Sequence, residues 1–124
     1  MWVVFQPHRY SRTEAFSSDF VDAFQDADRV VLMDVYGAGE APIHGVSGKS
    51  VLDALLARHP SSAVAYFPHR ADIAGYVAGR ARPGDLVMTM GAGDVTSMGA
   101  EIMREIAERA PARDADGAEA AACR

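Results

Sequence analysis

Two arginines, Arg9 and Arg12, stand three residues apart in the run Gln6-Pro7-His8-Arg9-Tyr10-Ser11-Arg12, where a short apolar stretch gives way to a helical pattern. That spacing sets two guanidinium groups across the start of a helix. The first helical turn has unpaired N–H groups and the positive end of the backbone dipole. Together these make a site for a carboxylate or a phosphate, and arginine forks match both in two-point contacts. His8 stands beside them. The plainer alternative leaves both arginines on the surface, or paired with Glu14 and Asp19. A second candidate is the turn Gly91-Ala92-Gly93-Asp94. Glycines let a backbone come close to a ligand. The plainer alternative there is a tight strand-to-helix turn with Asp94 as helix cap. Gly37-Ala38-Gly39 reads as a turn only.

Other constellations carry less. Gly48-Lys49-Ser50 has the ending of a phosphate-binding loop, but that motif needs a glycine at position 43, where Ile43 stands. No G-x-G-x-x-G pattern occurs. Of the histidines His8, His44, His59 and His69, two fall near the same edge as Asp34, a combination that can hold a metal in principle. No pair has the short spacing of a metal motif, so hydrogen-bonding or solvent-facing histidines are the better reading. No nucleophile-elbow sequence supports a Ser–His–Asp triad. The stripe Phe16, Phe20, Phe24 reads as core rather than as a cofactor site.

The elements that must hold these residues follow from four apolar runs: Trp2–Phe5, Val30–Met33, 63–67 and 86–90. None alternates cleanly with polar residues, which suits strands buried on both faces of a parallel sheet. Helical spacing separates them. Ser11 and Glu14 have the form of a capping box, with Phe16, Phe20, Val21 and Phe24 on one face behind it. Ser50 and Asp53 are candidate caps for a helix carrying Val51, Leu52, Leu55 and Leu56. Ile73, Tyr76 and Val77 mark a third, short helix. Met98, Ile102 and Ile106 form a stripe on a fourth, with Glu101, Arg104, Glu105 and Glu108 facing water. Strand and helix alternate four times. The expected fold is α/β, a three-layer Rossmann-like domain with a mainly parallel sheet. In such sheets ligands bind beyond the carboxyl ends of the strands. Both candidate segments follow a strand, so they meet at that edge.

Bulk properties bound the rest. At 124 residues the chain makes one core, with the domain expected over 1–111 and a disordered tail over 112–124. A net charge of −5 argues against a nucleic-acid surface. No apolar run is long enough to span a bilayer, and the opening residues lack the form of a secretory signal. The single cysteine, Cys123, rules out an internal disulfide and suits a reducing compartment. A strand beginning almost at residue 1 hints that a natural chain continues upstream.

Three blocks carry a resemblance. Val4-Phe5-Gln6-Pro7-His8-Arg9-Tyr10-Ser11-Arg12-Thr13 resembles the opening hallmark of the carboxyl-terminal domain in the Mur ligase family, in its branch of UDP-N-acetylmuramate–L-alanine ligases. Asp34 to Ile43 with Gly45-Val46, and Leu86 to Val95, are similar to its later blocks, in the same order. The resemblance implies a cytoplasmic ligase of peptidoglycan synthesis that joins L-alanine to the muramyl carboxylate with ATP and magnesium. It implies three domains, of which the first holds the UDP-sugar, the central one ATP, and the last closes over the site. Arg9 and Arg12, with His8 beside them, would hold the L-alanine carboxylate. Gly91, Ala92, Gly93 and Asp94 would shape the site. This chain lacks the family's P-loop, its UDP-binding domain and the Asp-Asp-Tyr-Gly-His-His-Pro segment with the helix behind it. One sheet face should therefore be partly bare, and the chain alone should make no product and bind no cofactor. The partners implied are the two missing domains and the small-molecule substrates, with neither nucleic acid nor membrane. Two other readings stand beside this one: a free-standing, non-catalytic α/β module for a small carboxylate, and a small phosphate-handling enzyme, for which base and cradle are both lacking.

Overall fold

The computed structural model describes residues 1–110. Residue 111 and the expected tail over 112–124 lie outside the described residues. Four strands, β1 (Trp2–Phe5), β2 (Arg29–Met33), β3 (Val64–Phe67) and β4 (Val87–Met90), form one parallel sheet in the order β3-β2-β1-β4. The helices are α1 (Tyr10–Phe20), α2 (Gly48–Arg58), α3 (Ile73–Ala78) and α4 (Met98–Arg109). Short 3₁₀ turns at Arg70–Asp72 and Asp94–Ser97 lead into α3 and α4. The expected three-layer α/β architecture is the one observed.

The strands alternate between the two faces of the core, as a period of two demands. Val3, Val30 and Leu32 face Val21, Phe24, Val51 and Leu55, beneath α2 and the end of α1. Trp2, Val4, Val31 and Met33 face Ile73, Val77, Met98 and Ile102, beneath α3 and α4. Both faces of β1 and β2 are apolar because both are covered, so their sequences read as unbroken runs rather than alternating ones.

Two helix starts and the exposure of two side chains differ from expectation. The Ser11–Glu14 box does not form: α1 begins at Tyr10, its N-cap is Arg9, and Ser11 bonds Glu40 instead. The start of α2 is capped by Ser47 with Ser50 reciprocating, while Asp53 pairs with Lys49 on the surface. Phe16 is not core; it is 48% exposed, because α1 meets the sheet only near its carboxyl end. Glu101 is half-buried rather than fully turned to water, since Arg70 donates to its carboxylate.

The edge strand β4 is thinly covered. Its register aligns Met88 with Val3 and Met90 with Phe5, so both methionines lie on the face shared with α1 and α2. Those helices sit over the other strands, and Leu86, Met88 and Met90 remain 56%, 41% and 42% exposed. A partly bare sheet face was expected and is present there.

Candidate functional site

In this strand order the chain winds outward from β1 through β2 to β3, then returns to place β4 on the other side of β1. The reversal point between β1 and β4 is where open parallel sheets leave a crevice at their carboxyl edge. The two loops flanking that crevice are the two singled out by sequence, after Phe5 and after Met90.

Gln6 organises the floor. It is 5% exposed. Its backbone N–H donates to the Met90 carbonyl, its Oε1 accepts from the Val95 amide at 3.1 Å, and its Nε2 donates to Asp94 Oδ1. One buried side chain thereby fixes the turn after β4 against the end of β1. The glycines follow from this closeness. Gly91 has φ 150°, and a Cβ there would lie 2.9 Å from the Gln6 carbonyl oxygen. A Cβ on Gly93 would fall 2.7 Å from Gln6 Oε1 and 2.5 Å from the Tyr36 ring. Glycine is needed at both positions for packing alone, whatever the turn binds.

The arginine segment is braced by the loop after β2. The Tyr36 amide donates to the Pro7 carbonyl at 2.9 Å, and the Arg9 amide donates to the Tyr36 carbonyl at 2.8 Å. The His8 ring stacks on Tyr36 with centroids 5.9 Å apart. Arg9 itself takes φ 67°, ψ 136°. A residue with a side chain holds such a backbone at a cost of about 1–3 kcal/mol and needs its surroundings to enforce it. Here the Arg9 carbonyl accepts from both the Thr13 amide and the buried Thr13 hydroxyl, at 3.1 and 2.8 Å.

Arg12, His8, Gly91 and Ala92 line one cavity of about 190 Å³, whose floor is Phe5, Gln6 and Phe20. A shallower hollow of about 470 Å³ adjoins it, lined by His8, Arg9, Ser11, Arg12, Ala15 and Phe16. Arg12 and His8 belong to both. Among the described residues, neither Arg9 nor Arg12 forms an ion pair, so the alternative pairing with Glu14 and Asp19 is not what the fold adopts. The cavity combines an apolar floor with Arg12 in its lining, a combination that can take a small molecule with a carboxylate and a short apolar group.

The remaining candidates fall elsewhere. Gly93 packs between Gln6 and Tyr36. Asp94 lines a different cleft, about 490 Å³, with Asp34, Tyr36, His69 and Arg70. It is not the side-chain cap of the turn it begins. Arg70 donates to the Asp94 carbonyl, Ser97 Oγ and Glu101 Oε1, tying the 3₁₀ turn after β4 to α4. Asp34 is structural: its Oδ1 accepts from the Val35 and Gly48 amides, both at 2.9 Å. Burial, with Asp34 close by, raises the Tyr66 hydroxyl above its ordinary range. A further hollow of about 190 Å³ lies at the opposite sheet edge, around Phe24, His59 and Ser62, and contains none of the candidate residues. There His59 bonds Asp22, which lowers the Asp22 carboxyl below its usual range.

Glu40 was not anticipated. Ser11 donates to its carboxylate through both the amide, at 3.0 Å, and the hydroxyl, at 2.6 Å. These bonds lower the Glu40 carboxyl below the ordinary glutamate range, with a smaller contribution from Arg9. A partner 29 residues away leaves no local spacing signal. Gln6 was visible as a polar residue directly after a strand, but its two loop contacts were not.

These features define a parallel α/β domain whose polar and glycine-bearing loops meet at the reversal point of its sheet. The chain belongs to the Mur ligase family: residues 1–93 match the family described as Mur ligase, glutamate ligase domain. It is 48% identical over 105 residues, 85% of its length, to a UDP-N-acetylmuramate–L-alanine ligase of Pelotomaculum thermopropionicum. To proteins of the same name from Mycobacterium sp. strain JLS and Mycobacterium tuberculosis it is 52% and 50% identical, over 87% of its length. The chain spans 21–23% of the length of these relatives.

Proposed function

We propose that this chain is the acceptor-binding, carboxyl-terminal part of a UDP-N-acetylmuramate–L-alanine ligase of peptidoglycan synthesis, with Arg12 and Arg9 holding the carboxylate of L-alanine. The observation that carries this reading is the cavity shared by Arg12 and the Gly91–Ala92 turn at the reversal point between β1 and β4. A guanidinium contributes direction as well as charge, because its planar fork orients a carboxylate. Phe5, Phe20 and Ala92 give the methyl group of alanine an apolar wall. His8, fixed by its stack on Tyr36, completes the rim. Orientation of the acceptor amine toward an activated carboxylate on another domain is then the chain's share of catalysis.

ATP and magnesium belong, in this reading, to the other domains of a cytoplasmic enzyme. The phosphate-loop ending at Gly48-Lys49-Ser50 does not fit a nucleotide. The Gly48 amide, which a phosphate would require, donates to Asp34, and Lys49 pairs with Asp53. The chain alone should therefore be inactive, with closure of the site depending on domains outside it. The test is ATP-dependent ligation of L-alanine to UDP-N-acetylmuramate. The expected result is no product from the chain alone, and product when the amino-terminal and central domains of a relative are joined to it. Turnover by the chain alone would overturn the division of labour; failure of a folded fusion to turn over would overturn the assignment.

A further inference from the structure

The helix start that should attract an anion is already occupied by one. Helix α1 has no side-chain cap of its own and no acidic residue in its first turn. A negative charge there comes from Glu40, which accepts from the Ser11 amide and hydroxyl together. Glu40 is delivered by a loop pinned at several points. The Glu40 amide donates to the Gly37 carbonyl at 3.0 Å, Gly37 packs beneath the Tyr10 ring, and Tyr36 bonds Pro7 and Arg9. The carboxylate is thus placed by the backbone rather than left to a free side chain.

This arrangement divides the positive charge of the segment. The Ser11 amide and the dipole end of α1 are met by the Glu40 carboxylate. The guanidiniums of Arg9 and Arg12 are left without ion pairs among the described residues, with Arg12 facing Gly91 and Ala92. We propose that Glu40 is a positioning residue: by filling the α1 start it confines an incoming small carboxylate to the guanidiniums, at the cavity beside the glycine turn. The proposal rests on the arginine reading given above, and the experiment separates the two.

The measurement is heteronuclear NMR on the 124-residue chain, following the Ser11 amide and the Nε–H signals of Arg9 and Arg12 while L-alanine is added. In the wild type the arginine signals move and the Ser11 amide does not. In Glu40→Ala the helix start opens, the Ser11 amide now responds, and the Arg12 response at a fixed L-alanine concentration falls several-fold. Glu40→Asp, which keeps the charge, restores the wild-type pattern. Unchanged signals from Gly91 and Val95 before ligand addition show that the variants are folded. A readout that needs neither ligand nor a disruptive substitution is acid titration of the wild type and Glu40→Gln. The Ser11 amide should follow a carboxyl titrating below the ordinary glutamate range in the first and lose that inflection in the second. Equal arginine responses in wild type and Glu40→Ala, with Ser11 silent in both, would overturn the proposal and leave the arginine reading intact. Silent arginines in the wild type, with the Ser11 inflection present, would overturn the arginine reading and the proposal with it.

Discussion

Arg9 and Arg12 stand three residues apart in sequence but are not equivalent in space. Arg12 lines both the apolar cavity and the open hollow, whereas Arg9 lines only the hollow and lies close enough to Glu40 to lower its carboxyl. Arg12→Ala should therefore weaken acceptor binding more than Arg9→Ala, and L-alanine titrations of the two variants in the completed enzyme would rank them. Arg9 also carries backbone strain. Arg9→Gly relieves the positive φ that Arg9→Ala retains, so the glycine variant should be the more stable of the two by about 1 kcal/mol in urea unfolding. Glu40 has a sign of its own. Its folded-state pKa is depressed, so its contribution to stability is present above the ordinary glutamate value and lost as pH falls through the lowered one. Acid unfolding of Glu40→Gln should begin from a lower plateau and show a flatter slope in that window. At this scale the sequence showed the arginines and glycines as types and spacings. Glu40 stayed hidden because only the folded loop brings it to Ser11.

The elements were legible in type and order, since parallel strands covered on both faces produce unbroken apolar runs that stand out from helical spacing, although α1 stops at Phe20, short of the helical face expected to reach Phe24. Their ends were less legible. Ser11-Arg12-Thr13-Glu14 has the letters of a capping box, yet a carboxylate from the β2–α2 loop displaces it. Ser50 was recognised as part of a cap but in the wrong role; Ser47 leads and Ser50 answers. Phe16 kept helical phase with Phe20 and Phe24, but phase alone does not say whether an element lies over a helix's whole length. The strand order, which creates the crevice, cannot be read from periodicity at all. Gln6 joins these elements. Gln6→Ala leaves the Val95 amide and the Asp94 carboxylate without their partner. It should cost about 1–3 kcal/mol in chemical denaturation, the penalty for an unsatisfied buried polar group.

For the whole molecule, the sheet is well covered except along β4. Leu86, Met88 and Met90 expose an apolar strip on an edge strand, a combination that invites association between copies. The 124-residue chain should sediment as concentration-dependent oligomers, and Met88→Lys should shift it toward monomer. A wild-type monomer at high concentration would count against this. No helix among the described residues is long and apolar enough to cross a membrane. The chain corresponds to 21–23% of the length of the relatives it matches.

The Michaelis constant for L-alanine of the completed enzyme carrying Arg12→Ala tests the central claim most directly. Loss of one charged hydrogen-bonding partner, about 1.5–3 kcal/mol, predicts a rise of roughly 10- to 150-fold. A wild-type constant in both this variant and Arg9→Ala would place the acceptor carboxylate elsewhere and contradict the account.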